Sequence, residues 1–263
     1  MSVYRYFDGF INILLAIFNF FSRVISMFNP KLSRLLNRNT KIKELRKKDE
    51  CYIIGNGPSL KNVDLSKLQD EETFTVNYFY KYRKDGFKGK YFVAIDDIFG
   101  GTEAMEYLEQ VQRENKDTTM FLRYNCYYQN KDVLDLNRCY FLYAKQFQEG
   151  NEVHVECNKN MTACINVVLQ CIQIALYMGY KKIYLLGCDF NEYAQVKVEH
   201  FYDAKLTRIF SMGDEARWAA LAHYHHYALK RYADKHGVEI VNLTPNSLID
   251  AYEKDTLERI KPV

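Results

Sequence analysis

Beyond residue 50 the chain alternates short apolar runs with polar or helix-length stretches. The runs at 51–55, 73–77, 91–95, 119–124, 139–143, 183–187 and 238–241 are continuous rather than alternating, as in strands buried on both faces. Residues 161–178 carry no breaker until Gly179-Tyr-Lys-Lys, which predicts a helix closed by a glycine C-cap. Residues 214–236 predict a second long helix. Asp214 and Glu215 stand in its first turn and Lys230, Arg231, Lys235 and His236 near its end, the polarity that the helix dipole favours. Strands and helices in alternation predict an α/β fold, with one Rossmann-like domain over 51–263 built on a mostly parallel sheet.

The first fifty residues follow another pattern. Residues 7–28 are apolar except for Asp8, Asn12, Asn19, Ser22, Arg23 and Ser26. At ~100° per residue these six fall on about a third of the helix circumference, leaving a wide apolar face. Such an amphipathic helix suits the plane of a membrane interface better than a span through it. Lys31, Arg34, Arg38, Lys41, Lys43, Arg46, Lys47 and Lys48 follow, a run suited to anionic headgroups. The segment 1–50 is therefore expected to hold the protein peripherally on the cytoplasmic side of the inner membrane. The plainer reading is a helix docked on the body or on another subunit, possible in a homo-oligomer, with the basic run solvated.

Composition narrows the choice. In 263 residues, 48% are apolar, 26% charged and 15% aromatic, with 12 Gly and 4 Pro, which excludes collagenous, low-complexity and disordered classes. The net charge of +3 is unevenly spread: residues 1–50 hold ten Lys/Arg against four Asp/Glu, the remainder 26 against 29. A body with a slight acidic excess is not that of a nucleic-acid binder. Seven scattered cysteines without a C-x-x-C pair read as reduced core residues of a cytosolic protein.

Parallel sheets bind ligands beyond the carboxyl ends of their strands. Gly55-Asn56-Gly57-Pro58-Ser59 follows the first strand; its glycines allow a tight turn close to a ligand, and the loop offers N–H groups to a phosphate. It is neither a dinucleotide fingerprint nor a Walker A loop. Asn77 follows the second strand as a neutral partner for ribose, base or phosphate. Asp96 and Asp97 follow the third. They would ligate Mg2+ or Mn2+ on a nucleotide diphosphate if both faced one side, and one of them as a helix N-cap is the alternative. Gly187-Cys188-Asp189 ends a later strand and leads to Tyr193, His200 and Tyr202. His200 is suited to taking a proton near neutral pH, and the tyrosine hydroxyls to donating to a departing phosphate. His223, His225 and His226 cluster on the last long helix, where packing or surface roles outweigh a metal site.

The blocks Gly55-Asn-Gly-Pro-Ser-Leu60, Asn77-Tyr-Phe-Tyr80, Gly179-Tyr-Lys-Lys-Ile-Tyr-Leu-Leu-Gly-Cys-Asp-Phe190 and Thr244-Pro-Asn-Ser-Leu248 occur in the order they take in glycosyltransferase family 42. Over about residues 51–252 the chain resembles these bacterial sialyltransferases. A related family, similar to the archaeal hydroxymethylpterin diphosphokinase, shares the first and third blocks. The resemblance implies a variant of the GT-A fold that uses CMP-sialic acid without a metal. It implies nucleotide contacts at Gly55, Asn56, Gly57 and Asn77, donor contacts near Met161-Thr162-Ala163 at a helix start, a base at His200, and tyrosine assistance from Tyr193 and Tyr202. Asp96 stands where that family has an asparagine facing the donor phosphate, so a carboxylate there calls for a proton or a bridging cation.

The sequence thus points to a glycosyltransferase carrying sialic acid or a similar sugar from a nucleotide-sugar donor to a glycan or lipid-linked acceptor, in bacterial surface polysaccharide or lipooligosaccharide synthesis. Pro58, Ser59, Gly187 and Asp189 complete the expected nucleotide site. The alternatives are a pterin-type pyrophosphokinase using ATP and Mg2+, and a non-catalytic membrane adaptor.

Overall fold

The structure is a computed structural model that describes residues 2–82, 85–96, 99, 101, 104–148, 150, 152–194 and 211–260. Helices α1 (Ser2–Met27) and α2 (Pro30–Asn37) precede strand β1 (Glu50–Ile54). Then come β2 (Thr73–Val76), α3 (Phe79–Tyr82), β3 (Tyr91–Ala94), α4 (Met105–Glu114), β4 (Thr119–Arg123), α5 (Tyr124–Asn130), β5 (Cys139–Gln146) and β6 (Asn160–Thr162). The chain closes with α6 (Val167–Met178), β7 (Lys182–Leu186), α7 (Met212–Lys235), β8 (Glu239–Asn242), β9 (Glu253–Lys254) and α8 (Leu257–Ile260).

All nine strands form one sheet in the order β6-β5-β4-β3-β2-β1-β7-β8-β9, and every pairing is parallel. This is the Rossmann-like arrangement predicted from the alternation. The central strands are buried on both faces: Cys51 and Ile53 join the core that includes α6 and α7, while Tyr52 and Ile54 join the core on the opposite face. That two-sided burial is why these strands read as continuous apolar runs. The seven cysteines are all free, and all but Cys164 are buried.

One expected helix is divided. Residues 161–178 were expected to form a single helix, but Asn160–Thr162 is the edge strand β6, and α6 starts only at Val167. Asn166 fixes that start, its side chain accepting from the Leu169 N–H at 3.0 Å. Gly179 closes the helix at φ 85°, as expected of a glycine C-cap. Thr162 and Ala163 therefore stand at the end of an edge strand, not at a helix start.

Helix α1 forms where its pattern predicted, but the C-terminal part of its polar stripe, Asn19 to Ser26, faces protein, while Asn12 is exposed. Asn19 is buried and exchanges two 2.8 Å hydrogen bonds with the Phe147 backbone, Nδ2 donating to O and Oδ1 accepting from N. Asn160 Nδ2 donates to Ser22 Oγ at 2.9 Å, and Arg23 Nη1 lies 3.5 Å from His154 Nε2. The end of β5 leaves backbone groups there that need partners, and amide and hydroxyl side chains supply them. The opposite face, with Phe10, Ile13, Ile17, Phe20, Phe21 and Ile25, is exposed, and Phe28 beyond it is 83% exposed. Among the described residues α1 holds the one helix window long and apolar enough to cross a membrane by length and composition, Phe10–Met27.

Part of the basic run braces the body. Arg46 pairs with Asp49, Lys48 with Glu71 at 2.8 Å, and Lys43 lies 4.7 Å above the Tyr177 ring. Lys31 and Arg34 on α2 remain exposed.

Packing explains two histidines of the α7 cluster. His226 is fully buried with Nδ1 3.0 Å from Tyr252 Oη, and buried His225 lies 3.3 Å from Gln173 Nε2. Burial pushes His226 down to about 3, helped by the neighbouring His225 and His223, and His225 down to about 4. Both are neutral in the fold, whereas the unfolded chain protonates them below ~6.5. Their contribution to stability is complete above that pH and is lost as pH falls from ~6.5 towards the folded values, at up to about 1.4 kcal/mol per ring and pH unit. Urea unfolding between pH 7 and 4 is expected to show this fall, with a shallower slope in His225→Gln. Equal slopes in the two proteins would contradict it.

Candidate functional site

The sheet reverses direction of growth at the β1/β7 pair, with β2 to β6 on one side and β8 and β9 on the other. In doubly wound sheets ligands bind in the crevice beyond the carboxyl ends of the strands beside such a switch point. The loop after β1 is the glycine-rich Gly55–Ser59 segment, and the loop after β7 starts at Gly187.

These loops are tied to each other. Gly55 N donates to Leu186 O and Gly57 N to Gly187 O, both at 2.8 Å. The Asp189 carboxylate, buried behind the loop, accepts from Ser59 N at 3.1 Å and from Ser59 Oγ at 2.7 Å. Pro58, with its fixed φ, opens the short 3-10 turn that follows, Pro58–Asn62. Side chains would not fit at the glycines. A Cβ on Gly55 would strike Gly187 O, and one on Gly57 would strike the Asp189 carboxylate and stand 2.7 Å from Gly187 O. Gly187 itself turns at φ 60°.

The loop after β7 is braced from behind. Thr244 Oγ1 accepts from Cys188 N at 3.0 Å, Ser247 Oγ donates to Cys188 O at 2.7 Å, and Leu248 N donates to Asp189 O at 2.9 Å. The Thr244-Pro-Asn-Ser block therefore sets the loop's shape. Asp189, expected among the nucleotide contacts, has its carboxylate committed to Ser59.

Two asparagines line the crevice. Asn56 Nδ2 donates to Val76 O at 3.3 Å, and Asn77, at φ 48°, donates from Nδ2 to Asp96 Oδ2 at 2.8 Å. The Tyr107 hydroxyl donates to Asn77 O at 2.8 Å and steadies that left-handed turn. Among the described residues Asn56 Oδ1 and Asn77 Oδ1 are buried without a hydrogen-bond partner. Two unpaired acceptors at a strand-end crevice suit a ligand that brings donors, such as ribose hydroxyls or a base amino group. Asp96 is open to solvent, but surrounding protein raises its carboxyl above the usual range, against the opposing pull of Arg123 and the Asn77 amide.

The structure thus brings Gly55, Asn56, Gly57, Pro58, Ser59, Asn77, Asp96, Gly187 and Asp189 to the ends of four neighbouring strands, β3, β2, β1 and β7. Thr162 and Ala163 are at β6, five strand spacings from β1, on the order of 24 Å away. Thr162 Oγ1 accepts from His154 N at 2.8 Å, a local structural bond. Tyr193 sits beyond Phe190, its ring packed edge-on against Phe190 and His223 at 5.9 and 6.3 Å. His200, Tyr202 and Asp97 lie outside the described residues. Among the described residues no group of three or more His, Cys, Asp or Glu is placed to hold a metal ion.

Sequence reasoning passed over Arg123, the cation at the end of β4, and Glu192, whose carboxyl is raised by burial and by the charges of Asp189 and Glu215. The same strand-end rule that found Asn77 and Asp96 would have found Arg123.

A family model described as 6-hydroxymethylpterin diphosphokinase MptE-like matches residues 19–194, more than half of the chain. The protein belongs to the MptE-like family. The match begins within α1 and runs through β7 into the loop carrying Asp189, so the family's shared part includes both tied loops. Solved structures similar to this MptE-like chain are sialyltransferases from Campylobacter jejuni. CstII in complex with the substrate analogue CMP-3FNeuAc is 21% identical with a TM-score of 0.49, covering 78% of this chain and 85% of that one. CstII with a trisaccharide acceptor and CMP is 20% identical with a TM-score of 0.46, covering 78% and 85%. The monofunctional alpha-2,3-sialyltransferase Cst-I is 22% identical with a TM-score of 0.47, covering 78% and 79%. No curated protein matches the chain.

Proposed function

We propose that this MptE-like protein is a glycosyltransferase that moves sialic acid or a similar sugar from a nucleotide donor to a hydroxyl of a glycan or lipid-linked acceptor. We place it peripherally on the cytoplasmic face of the inner membrane, in the synthesis of bacterial surface polysaccharide. The observation that carries the reading is the pair of buried, unpartnered amide oxygens of Asn56 and Asn77 beside the tied glycine loops. They ask for the donors of a nucleoside, whereas the N–H groups of Gly55, Gly57 and Ser59, expected for its phosphate, are taken up by Leu186 O, Gly187 O and the Asp189 carboxylate.

In this reading His200 takes the proton of the acceptor hydroxyl as the hydroxyl oxygen bonds to the anomeric carbon and the bond from that carbon to the nucleotide phosphate breaks. Tyr193 and Tyr202 donate to the departing phosphate. The exposed apolar face of α1 and the exposed Lys31 and Arg34 support the membrane placement. A pterin-type diphosphokinase using ATP and Mg2+ is the second reading. The family description favours it, as does Asp96 at a strand end, where a carboxylate would serve a metal-bound triphosphate.

The test is a thermal-shift series with CMP-, UDP-, GDP- and dTDP-sugars and ATP, each with and without Mn2+ or Mg2+. A donor at ~100 times its Kd adds about 2.7 kcal/mol of stability. A shift with one sugar nucleotide followed by sugar release is expected. ATP consumption without sugar release would select the diphosphokinase. His200→Ala is expected to lower transfer ~100-fold or more while leaving the donor's thermal shift in place. Full transfer by both His200→Ala and Tyr202→Phe would overturn the assigned roles.

A further inference from the structure

A cavity of about 470 Å3 lies at the carboxyl ends of β3, β4 and β5, its lining mostly apolar but carrying two cations. Its walls include Arg123, Lys145, Gln170, Ala163, Phe147 and, from α1, Phe18. Arg123 ends β4, three strand spacings from β1, or ~14 Å. The cavity is electrically joined to the crevice through Asp96, which meets Asn77 on one side and feels the Arg123 charge on the other.

Lys145 reaches this cavity because of a backbone irregularity. The β5/β6 ladder passes from Ala144↔Met161 directly to Gln146↔Thr162, so Lys145 is the extra residue of a bulge. In a regular strand Ala144 and Lys145 would point to opposite faces, yet both line the same cavity. The bulge is held in place: Lys145 N donates to Asn160 Oδ1 at 2.9 Å, and Asn160 Nδ2 donates to Ser22 Oγ of α1 at 2.9 Å. Burial and the neighbouring Arg123 both push the Lys145 ammonium downward. Among the described residues no carboxylate pairs with Lys145.

The cavity's other wall is apolar. Phe18 and Phe147 pack at 5.1 Å between centroids, and Phe18 is half exposed, continuing into the outward apolar face of α1. Two cations beside an aromatic wall that leads to an exposed apolar helix fit an amphiphile with an anionic head.

We propose that Arg123 and Lys145 bind the phosphate of a phosphate-bearing lipid, whose hydrocarbon lies against Phe18 and the outer face of α1. That this lipid is the acceptor rests on the glycosyltransferase reading; that it binds there does not.

Calorimetric titration of the full chain with dihexanoyl phosphatidic acid in its monomeric range, with inorganic phosphate and with uncharged dihexanoylglycerol tests this. The lipid phosphate is expected to bind at least tenfold more tightly than either control. Lys145→Gln is expected to lose at least tenfold of that affinity, while its melting temperature without ligand stays level or rises because a like-charge contact is gone. Phe18→Ser is expected to lose the preference for the lipid over free phosphate. Unchanged lipid binding in Lys145→Gln would overturn the proposal, as would inorganic phosphate binding as tightly as the lipid. Lipid binding by a protein that takes no nucleotide sugar would sink the glycosyltransferase reading and leave this site standing; nucleotide binding without lipid binding would do the reverse.

Discussion

Gly55→Ala is expected to cost about 3 kcal/mol of stability, the upper end for overpacking, and to abolish nucleotide binding. The new methyl would strike Gly187 O, with Gly187 C and Cys188 Sγ each at 3.1 Å. The first two are backbone atoms, and Gly187 is itself pinned through its O to Gly57 N. No side chain can swing aside to make room, so the β1 and β7 loops must part. Parting them breaks the 2.8 Å bonds from Gly55 N and Gly57 N and withdraws Ser59 from Asp189. Urea unfolding and a donor thermal shift on the same sample measure both effects. A Gly55→Ala protein with wild-type stability that still binds the donor would show that the tied loops are not the binding element.

Glu72→Ala is expected to cost about 3–5 kcal/mol, because it breaks a buried charge pair by removing one partner, and to leave ligand affinity unchanged. Glu72 is 2% exposed. Its carboxylate accepts from Lys47 N at 3.1 Å through each oxygen, from the Tyr180 hydroxyl, and from the Lys90 ammonium. Burial and the charges of Lys47 and Lys48 already push Lys90 downward, so without Glu72 that cation stands beside two like charges. The cluster gathers the amino ends of β2 at Thr73 and β3 at Tyr91 with Tyr180 just before β7, and ties them to the basic segment at Lys47. It is at the end of the sheet away from the crevice, which separates stability from binding. A loss below 1 kcal/mol would show that the network is not coupled in this way.

The strands were legible because each is buried on both faces and therefore spells a continuous apolar run, as Cys51 to Ile54 do. The same property concealed β6. Met161 is as apolar as the helix that follows, so the run from 161 to 178 showed no break, and only Asn166, a capping residue inside it, marked the true helix start. The stripe on α1 was legible as a stripe, but not which way it faced. Asn19 pairs with the Phe147 backbone 128 residues away, and such a pairing leaves no mark in a periodic pattern. Parallel topology alone brings Gly55, Asn77, Asp96 and Gly187 together, which is why strand-end residues could be named from the sequence. The role of Asp189 could not, since it depends on a bond to Ser59 across two loops. Nor could that of Lys145, which depends on a bulge created by pairing with β6.

Hydrogen exchange followed peptide by peptide, with and without a saturating sugar nucleotide, tests most directly whether the loops at the β1/β7 switch point are the nucleotide site. The account predicts slowed exchange at Gly57 to Leu60, around Asn77 and in the Gly187 to Asp189 loop, with little change near Glu72. Unaltered exchange in all three segments under a donor that demonstrably binds would contradict it.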